Sequence, residues 1–325
     1  MTDKSKQTAA QKEVWPIAAI AVAIIALATI VFRYNSQMPR GNASGDKLRI
    51  VSLAPSITEI LFVLGLQDSI VGVTSCCDYP SEAKNTECVG GLGKPNIEKV
   101  LALHPDLVIA TGLEHNNVAE LLSKSGIRVL DMRIRNFQEM FDALREIGQV
   151  TGKPQQADKI VEAMQAELTK TAERFRGIQP SQRPRVFVEI WYDPITTAGQ
   201  TSFIDEVITC AGGINVAGNI NQTYPRINPE KVIEWNPDVI VLCYMGQEGN
   251  SASKLANRIG WAGISAVKER RIIENIPSDL ILRPGPRLIN GVKLLAQRLY
   301  GAEVKRHALD NKLVISAGGN SLRGP

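Results

Sequence analysis

From Leu48 to Tyr300, short apolar runs rich in Val and Ile alternate with segments whose apolar residues recur at helical spacing. Leu48–Leu53, Ile70–Thr74, Leu107–Ile109, Arg128–Met132, Arg185–Trp191, Val239–Val241 and Arg271–Ile276 read as strands. Helices are expected between them, over 55–64, 117–125, 137–150, 202–210, 253–259 and 288–300. Ser56 is the expected cap of the first, with Glu59 three residues on in a capping-box pattern. Strand and helix taking turns in this way predicts parallel sheets covered by helices on both faces.

One stretch of the pattern occurs twice. Residues 96–110 read NIEKVLALHPDLVIA and residues 228–242 read NPEKVIEWNPDVIVL. Asn, Glu-Lys-Val and Pro-Asp keep the same register at an offset of 132 residues, Glu98 to Glu230. Each copy reads as a short helix, a Pro-Asp turn and a buried strand. Asn96 and Asn228 suit the N-cap and Pro229 suits the first helical position. Glu98 and Glu230 fall in the first turn, where a negative charge complements the helix dipole. A duplication with so long a period predicts two similar lobes rather than a solenoid.

Between the lobes, residues 155–176 contain no Gly or Pro, and Pro154 and Gly177 bracket them. Ala157, Ile160, Val161, Met164, Leu168 and Phe175 form one apolar face. The segment reads as one stiff helix, about 33 Å long at the standard rise. The fold class is therefore α/β: two Rossmann-like α/β lobes, residues 48–152 and 179–303, joined by a single long rigid helix within 153–178. An N-terminal transmembrane helix precedes them. Residues 15–33 are uncharged and almost wholly apolar up to Arg33, long enough to cross a bilayer core. Lys4, Lys6 and Lys12 in the N-terminal segment 1–14 orient that end toward the cytoplasm. The length favours a retained anchor or uncleaved signal over a cleaved peptide. A polar tether, 34–47, follows, and the polar segment 304–325 reads as a disordered tail.

Composition narrows the function by exclusion. The net charge of +4 is spread over 325 residues, with no basic stripe interleaved with aromatics, so no nucleic-acid partner is implied. There is no G-x-S-x-G elbow and no H-E-x-x-H, and GGLGKP at 90–95 lacks phosphate-loop spacing. His104, His115 and His307 form no metal-ligand pattern, and the five cysteines show no C-x-x-C pair. Cys88 could pair with Cys76 or Cys77 in an oxidising compartment. The chain reads as a binding protein with no catalytic residues, no metal and no cofactor of its own.

Ligands of doubly wound sheets sit outside the carboxyl ends of the strands. The loops expected there are 75–95, 111–116, 192–200, 218–226 and 278–286. They carry or adjoin Tyr79, Trp191, Tyr192, Tyr224, Asp279, Arg283 and Arg287. Several aromatics with a few polar groups suit a large, flat, partly apolar ligand.

RIVSLAPSITEILFVLG (49–65), GVTSCCDYP (72–80), the paired E-K-V-x4-P-D segments and SDLILRPGPRL (278–288) resemble the helical-backbone (class III) substrate-binding proteins of ABC importers, and within them the vitamin B12 (cobalamin)-binding group. The resemblance covers about residues 48–300. It implies capture of a corrinoid between two lobes outside the cytoplasmic membrane and its delivery to an ABC permease with its ATPase subunits. A ferric siderophore or haem is the alternative ligand, and a membrane-anchored enzyme or sensor the alternative class. It further implies that Tyr79 contacts the ligand, that Leu92 and Tyr224 stand where B12 binders can carry a Trp, and that Asp279 and Arg283 supply polar contacts. Glu98 and Glu230 match the two acidic residues, one per lobe, that dock on the permease.

Overall fold

The computed structural model describes residues 47–112, 117–244, 254–255 and 257–301. The apolar run 15–33, the tail 304–325, His115 and His307 lie outside them. Among the described residues no helix is long and apolar enough to cross a membrane.

The first lobe contains β1 (Ile50–Ser52), α1 (Pro55–Val63), β2 (Ile70–Val73), β3 (Gly90–Gly91), β4 (Lys94–Pro95), α2 (Ile97–Ala102), β5 (Leu107–Thr111), α3 (Val118–Lys124), β6 (Arg128–Met132) and α4 (Phe137–Val150). The helix α5 (Pro154–Glu173) follows. The second lobe contains β7 (Arg185–Tyr192), β8 (Ile195–Thr197), α6 (Phe203–Cys210), β9 (Ile214–Asn215), α7 (Pro229–Trp235), β10 (Val239–Leu242), α8 (Ser265–Lys268), β11 (Ile272–Ile273), α9 (Asp279–Leu282) and α10 (Leu288–Tyr300).

The two sheets share one topology. In the first the order is β2-β1-β5-β6, all parallel. In the second β7 runs parallel to β9 and β10, and β10 parallel to β11. The second sheet gains β8, which folds back antiparallel on the end of β7. Val51, Val108, Phe187 and Ile240 are fully buried, so the central strands are covered on both faces as their unbroken apolar runs predict.

The repeated segment does the same work in each lobe. Its short helix ends in a left-handed residue, His104 at φ 43° and Asn236 at φ 44°. The Pro-Asp turn then aims a carboxylate at the neighbouring strand. Asp106 Oδ2 accepts from the Arg49 backbone N–H at 2.8 Å, and Asp238 Oδ2 accepts from the Arg185 backbone N–H at 2.8 Å. Arg49 also donates to the Leu103 carbonyl, which closes the end of α2. The conserved spacing inside the chain thus has a local cause: it satisfies the backbone where the first strand of each lobe begins.

Capping departs from expectation at two sites. The N-cap of α1 is Ala54, and Ser56 lies inside the helix, because Pro55 takes the first helical position. Asn96 caps α2 by accepting from Lys99 N at 3.1 Å, whereas Asn228 holds the N-cap position of α7 without a side-chain bond. Three of the expected loops also contain regular structure: β3 and β4 lie within 75–95, β8 within 192–200 and α9 within 278–286. GGLGKP forms the β3–β4 hairpin, with Leu92 and Gly93 as its two-residue turn and Gly93 at φ 70°.

The helix α5 buries Ala157, Val161, Met164 and Thr171 and packs against both α4 and α10. Lys293 of α10 donates to Glu167 at 2.8 Å. The lobes also touch where Glu206 Oε2 accepts from the Phe137 N–H at 2.7 Å, serving the first turn of α4 from the opposite lobe.

Gly291 of α10 lies against the carbonyl of Leu280, where a Cβ would come within 1.9 Å of the oxygen. This approach lets α9 rest on α10 and fixes the Arg283–Arg287 segment. Alanine is the better helix former by up to about 1 kcal/mol, but a backbone clash of this size wins. Gly291→Ala is expected to cost about 2 kcal/mol, read as a lower midpoint in thermal unfolding.

Candidate ligand-binding site

The strand ends of the two sheets meet in a cluster of charges. Glu59 projects from α1, Asp78 and Tyr79 follow β2, and Asp279, Arg283 and Arg287 follow β11. Arg287 Nη2 donates to Glu59 Oε1 at 2.6 Å, and Arg283 Nη1 donates to Asp78 Oδ1 at 2.5 Å. Arg283 also pairs with Asp279 at 3.0 Å. The Arg287 guanidinium lies over the Tyr79 ring, 3.7 Å from its centroid, a cation–π contact. Every one of these links except the Asp279 pair joins one lobe to the other.

The electrostatics follow from burial. The Glu59 side chain is 2% exposed. Burial raises its carboxyl above the ordinary value, and the pull of Arg287 and Arg283 offsets only part of this. Asp78 is more open, and its hydrogen bond from Arg283 holds its carboxyl below the usual range. Arg287, expected from sequence beside the ligand loops, is a half-buried partner of Glu59. Asp279 and Arg283 reach this cluster: the Arg283 charge is shared among Asp78, Asp279 and Glu59, and Asp279 also lies 3.9 Å from Arg287.

Around the strand ends stand the apolar candidates. Tyr79, Leu92, Trp191, Tyr192 and Tyr224 are each more than a third exposed, whereas most large apolar side chains among the described residues are buried. Tyr224 is 46% exposed, yet desolvation by surrounding protein pushes its phenol up to about 12. Trp191 stacks on Tyr192 with ring centroids 5.5 Å apart, and its indole N–H donates to the Asp193 carbonyl at 2.8 Å. Tyr192 meets Tyr244 edge-to-face at 6.2 Å.

Beneath this plate lies a second buried ion pair that sequence reasoning missed. Glu189 is fully buried in β7 and receives both Nη groups of Arg258, at 2.6 and 2.7 Å. It also accepts from the Tyr244 hydroxyl at 2.5 Å. Arg258 in turn lies over Trp261, 4.6 Å from the ring. The available signal was the lone carboxylate in RVFVEIWY, since a charge inside a buried strand must find a partner.

Glu98 and Glu230 stand apart from these clusters. Both are exposed in the first turn of α2 and α7, and no described residue pairs with either. The cysteines are free thiols: Cys77 is buried beside Thr74, and Cys76 and Cys88 are exposed. Burial pushes the Cys243 thiol up to about 12, which leaves it an inert core residue.

Comparison with known proteins agrees with this geometry. A family model described as periplasmic binding protein matches residues 50–279. An uncharacterised ABC transporter substrate-binding lipoprotein of Bacillus subtilis is 37% identical over 258 residues, covering 78% of this chain and 80% of the relative. The vitamin B12-binding protein of Vibrio cholerae serotype O1 is 30% identical over 261 residues, covering 78% of this chain and 90% of that protein. Among solved structures, the periplasmic heme-binding protein RhuT of Roseiflexus sp. RS-1 in apo form aligns with a TM-score of 0.71 at 29% identity, covering 79% of this chain and 99% of that one. The two α/β lobes, their shared topology and these matches agree: the chain belongs to the periplasmic binding protein family.

Proposed function

We propose that the chain is the extracytoplasmic substrate-binding component of an ABC importer, that it takes a corrinoid between its lobes, and that it delivers it to the permease and ATPase subunits. In this reading residues 15–33 anchor it to the cytoplasmic membrane as a single span, with the binding domain outside. The observation that carries the proposal is the set of exposed aromatics on strand-end loops of both lobes: Tyr79 from one, Trp191, Tyr192 and Tyr224 from the other. Such a set offers faces to a wide, flat ring system. Leu92 extends the apolar rim, and Asp279 and Arg283 supply polar contacts.

Charge supports a corrinoid over the anionic alternatives. Arg283 and Arg287 share their neighbourhood with Glu59, Asp78 and Asp279. Two cations against three carboxylates leave no positive surplus for a haem propionate or a ferric siderophore. The similarity to a vitamin B12-binding protein points the same way, and the similarity to heme-binding proteins keeps haem as the comparison ligand.

Titration of the full chain in detergent with cyanocobalamin, haem and a ferric siderophore tests this. The expected result is saturable binding of cyanocobalamin at least about tenfold tighter than either alternative, a difference of about 1.4 kcal/mol. Preference for haem or the siderophore, or no corrinoid binding, would overturn the corrinoid reading.

A further inference from the structure

The aromatic plate of the second lobe is not a free-standing surface. Trp191 and Tyr192 sit at the end of β7, past the last residues that pair with β10. Tyr192 is held on two sides, by the stacked Trp191 ring and by the edge-to-face contact with Tyr244. Tyr244 itself follows β10 and is tied by its hydroxyl to Glu189. Glu189 is fixed in turn by the two-pronged bond from Arg258, whose guanidinium rests on the buried Trp261 ring. A continuous chain of contacts therefore runs from the core of the lobe to an exposed ring.

We propose that Glu189 and Arg258 are positioning residues for ligand recognition, acting through Tyr244 to hold the Trp191–Tyr192 plate at the angle at which a flat ring system stacks on it. The inference rests on the reading of these loops as a ligand site and adds residues that neither touch solvent freely nor contact the ligand. Two physical points favour it. An ion pair with its carboxylate fully buried is a poor source of stability compared with apolar side chains of the same volume, so Glu189 beside the buried Val186, Phe187 and Val188 calls for another role. A two-pronged guanidinium–carboxylate bond fixes direction as well as distance, which a ring three contacts away needs. Preorganisation of this kind acts on affinity by removing the cost of ordering the plate when ligand arrives.

Tyr244→Phe removes only the hydroxyl and leaves the Glu189–Arg258 pair intact, so the lobe still folds. The test measures cyanocobalamin and haem affinity for the wild type, Tyr244→Phe, Tyr192→Ala and the double variant. Each single change is expected to weaken whichever ligand the wild type binds by about fivefold. The double variant is expected to lose no more than Tyr192→Ala alone, because Tyr244 acts through Tyr192. Losses that multiply in the double variant, or no loss in Tyr244→Phe, would overturn the proposal. Acrylamide quenching in a Trp15→Phe background provides a readout that needs no ligand. Trp235 and Trp261 are buried, so the accessible signal belongs to Trp191, and Tyr244→Phe is expected to raise its quenching. Unchanged quenching would count against the proposal even where the wild type binds neither ligand, which keeps its failure distinct from failure of the corrinoid reading.

Discussion

Glu59→Ala is expected to lower the unfolding free energy by about 3–5 kcal/mol, measured by urea denaturation at neutral pH. The change orphans the Arg287 guanidinium, which is only 18% exposed and has Glu59 as its short-range partner. Asp279 at 3.9 Å and the face of Tyr79 at 3.7 Å recover part of the loss, which favours the lower end of the range. Glu59→Gln keeps an acceptor for Arg287 and is expected to cost less. The two variants also differ from wild type in their pH response. Burial raises the Glu59 carboxyl above its unfolded value of 4.5, so the native state takes up this proton first as pH falls. The group therefore favours the native state most near and below that value, and the advantage is lost as pH rises through its folded pKa. Asp78 works in the opposite sense. Its depressed carboxyl contributes stability above its unfolded value of 3.8, lost as pH falls through the folded pKa. The margin of wild type over Glu59→Gln should thus be larger at about pH 5 than at about pH 8, with the Asp78 contribution common to both. A margin that grows with rising pH would contradict this assignment of the buried proton.

The same cluster shows where the sequence was legible and where it was not. The helix 137–150 and the strand 128–132 were readable to the residue because their determinants are local. Asn136 caps the helix by accepting from Glu139 N at 2.7 Å, and an apolar stripe follows. The strand–helix alternation and the duplicated Pro-Asp turn were enough for two lobes of one topology. The helix α9 was not readable, because its four residues are too short for a periodic pattern and it packs on α10 where Gly291 lets the Leu280 carbonyl approach, a tertiary fact. The exposed aromatics were visible as aromatics on loops. Their supports were not, since Glu59 and Arg287 are 228 residues apart and Glu189 and Arg258 are 69 apart. A buried carboxylate in PSITEILFV announces that a partner exists, but nothing in the sequence names it. Ser56 failed as a cap for a simpler reason: Pro55 already fixes the first helical position, so the N-cap falls on Ala54 and Ser56 lies inside the helix.

Glu98→Ala combined with Glu230→Ala is expected to cut ligand uptake by about tenfold or more while leaving ligand affinity within about twofold of wild type. The argument begins with the repeat. In both lobes the helix that precedes the Pro-Asp turn starts at the surface, and in both the first-turn glutamate is exposed with no described partner. As helix-dipole partners, exposed carboxylates are worth only about 0.3–1 kcal/mol each, so loss of both should barely move the unfolding midpoint. As a matched pair presented to cationic sites on a permease, each would carry about 1.5 kcal/mol or more of coupling, and two such pairs bring docking down steeply. The outcomes separate cleanly because neither residue belongs to the charge cluster of Glu59 and Arg287 or to the aromatic plate. Uptake in vesicles loaded with the transporter reads docking, and cyanocobalamin titration of the same variant reads the site. Uptake that survives would reduce the two glutamates to helix capping inherited by duplication. Lost ligand affinity would mean instead that these helix starts face the bound ligand, and that the permease meets the protein through other residues.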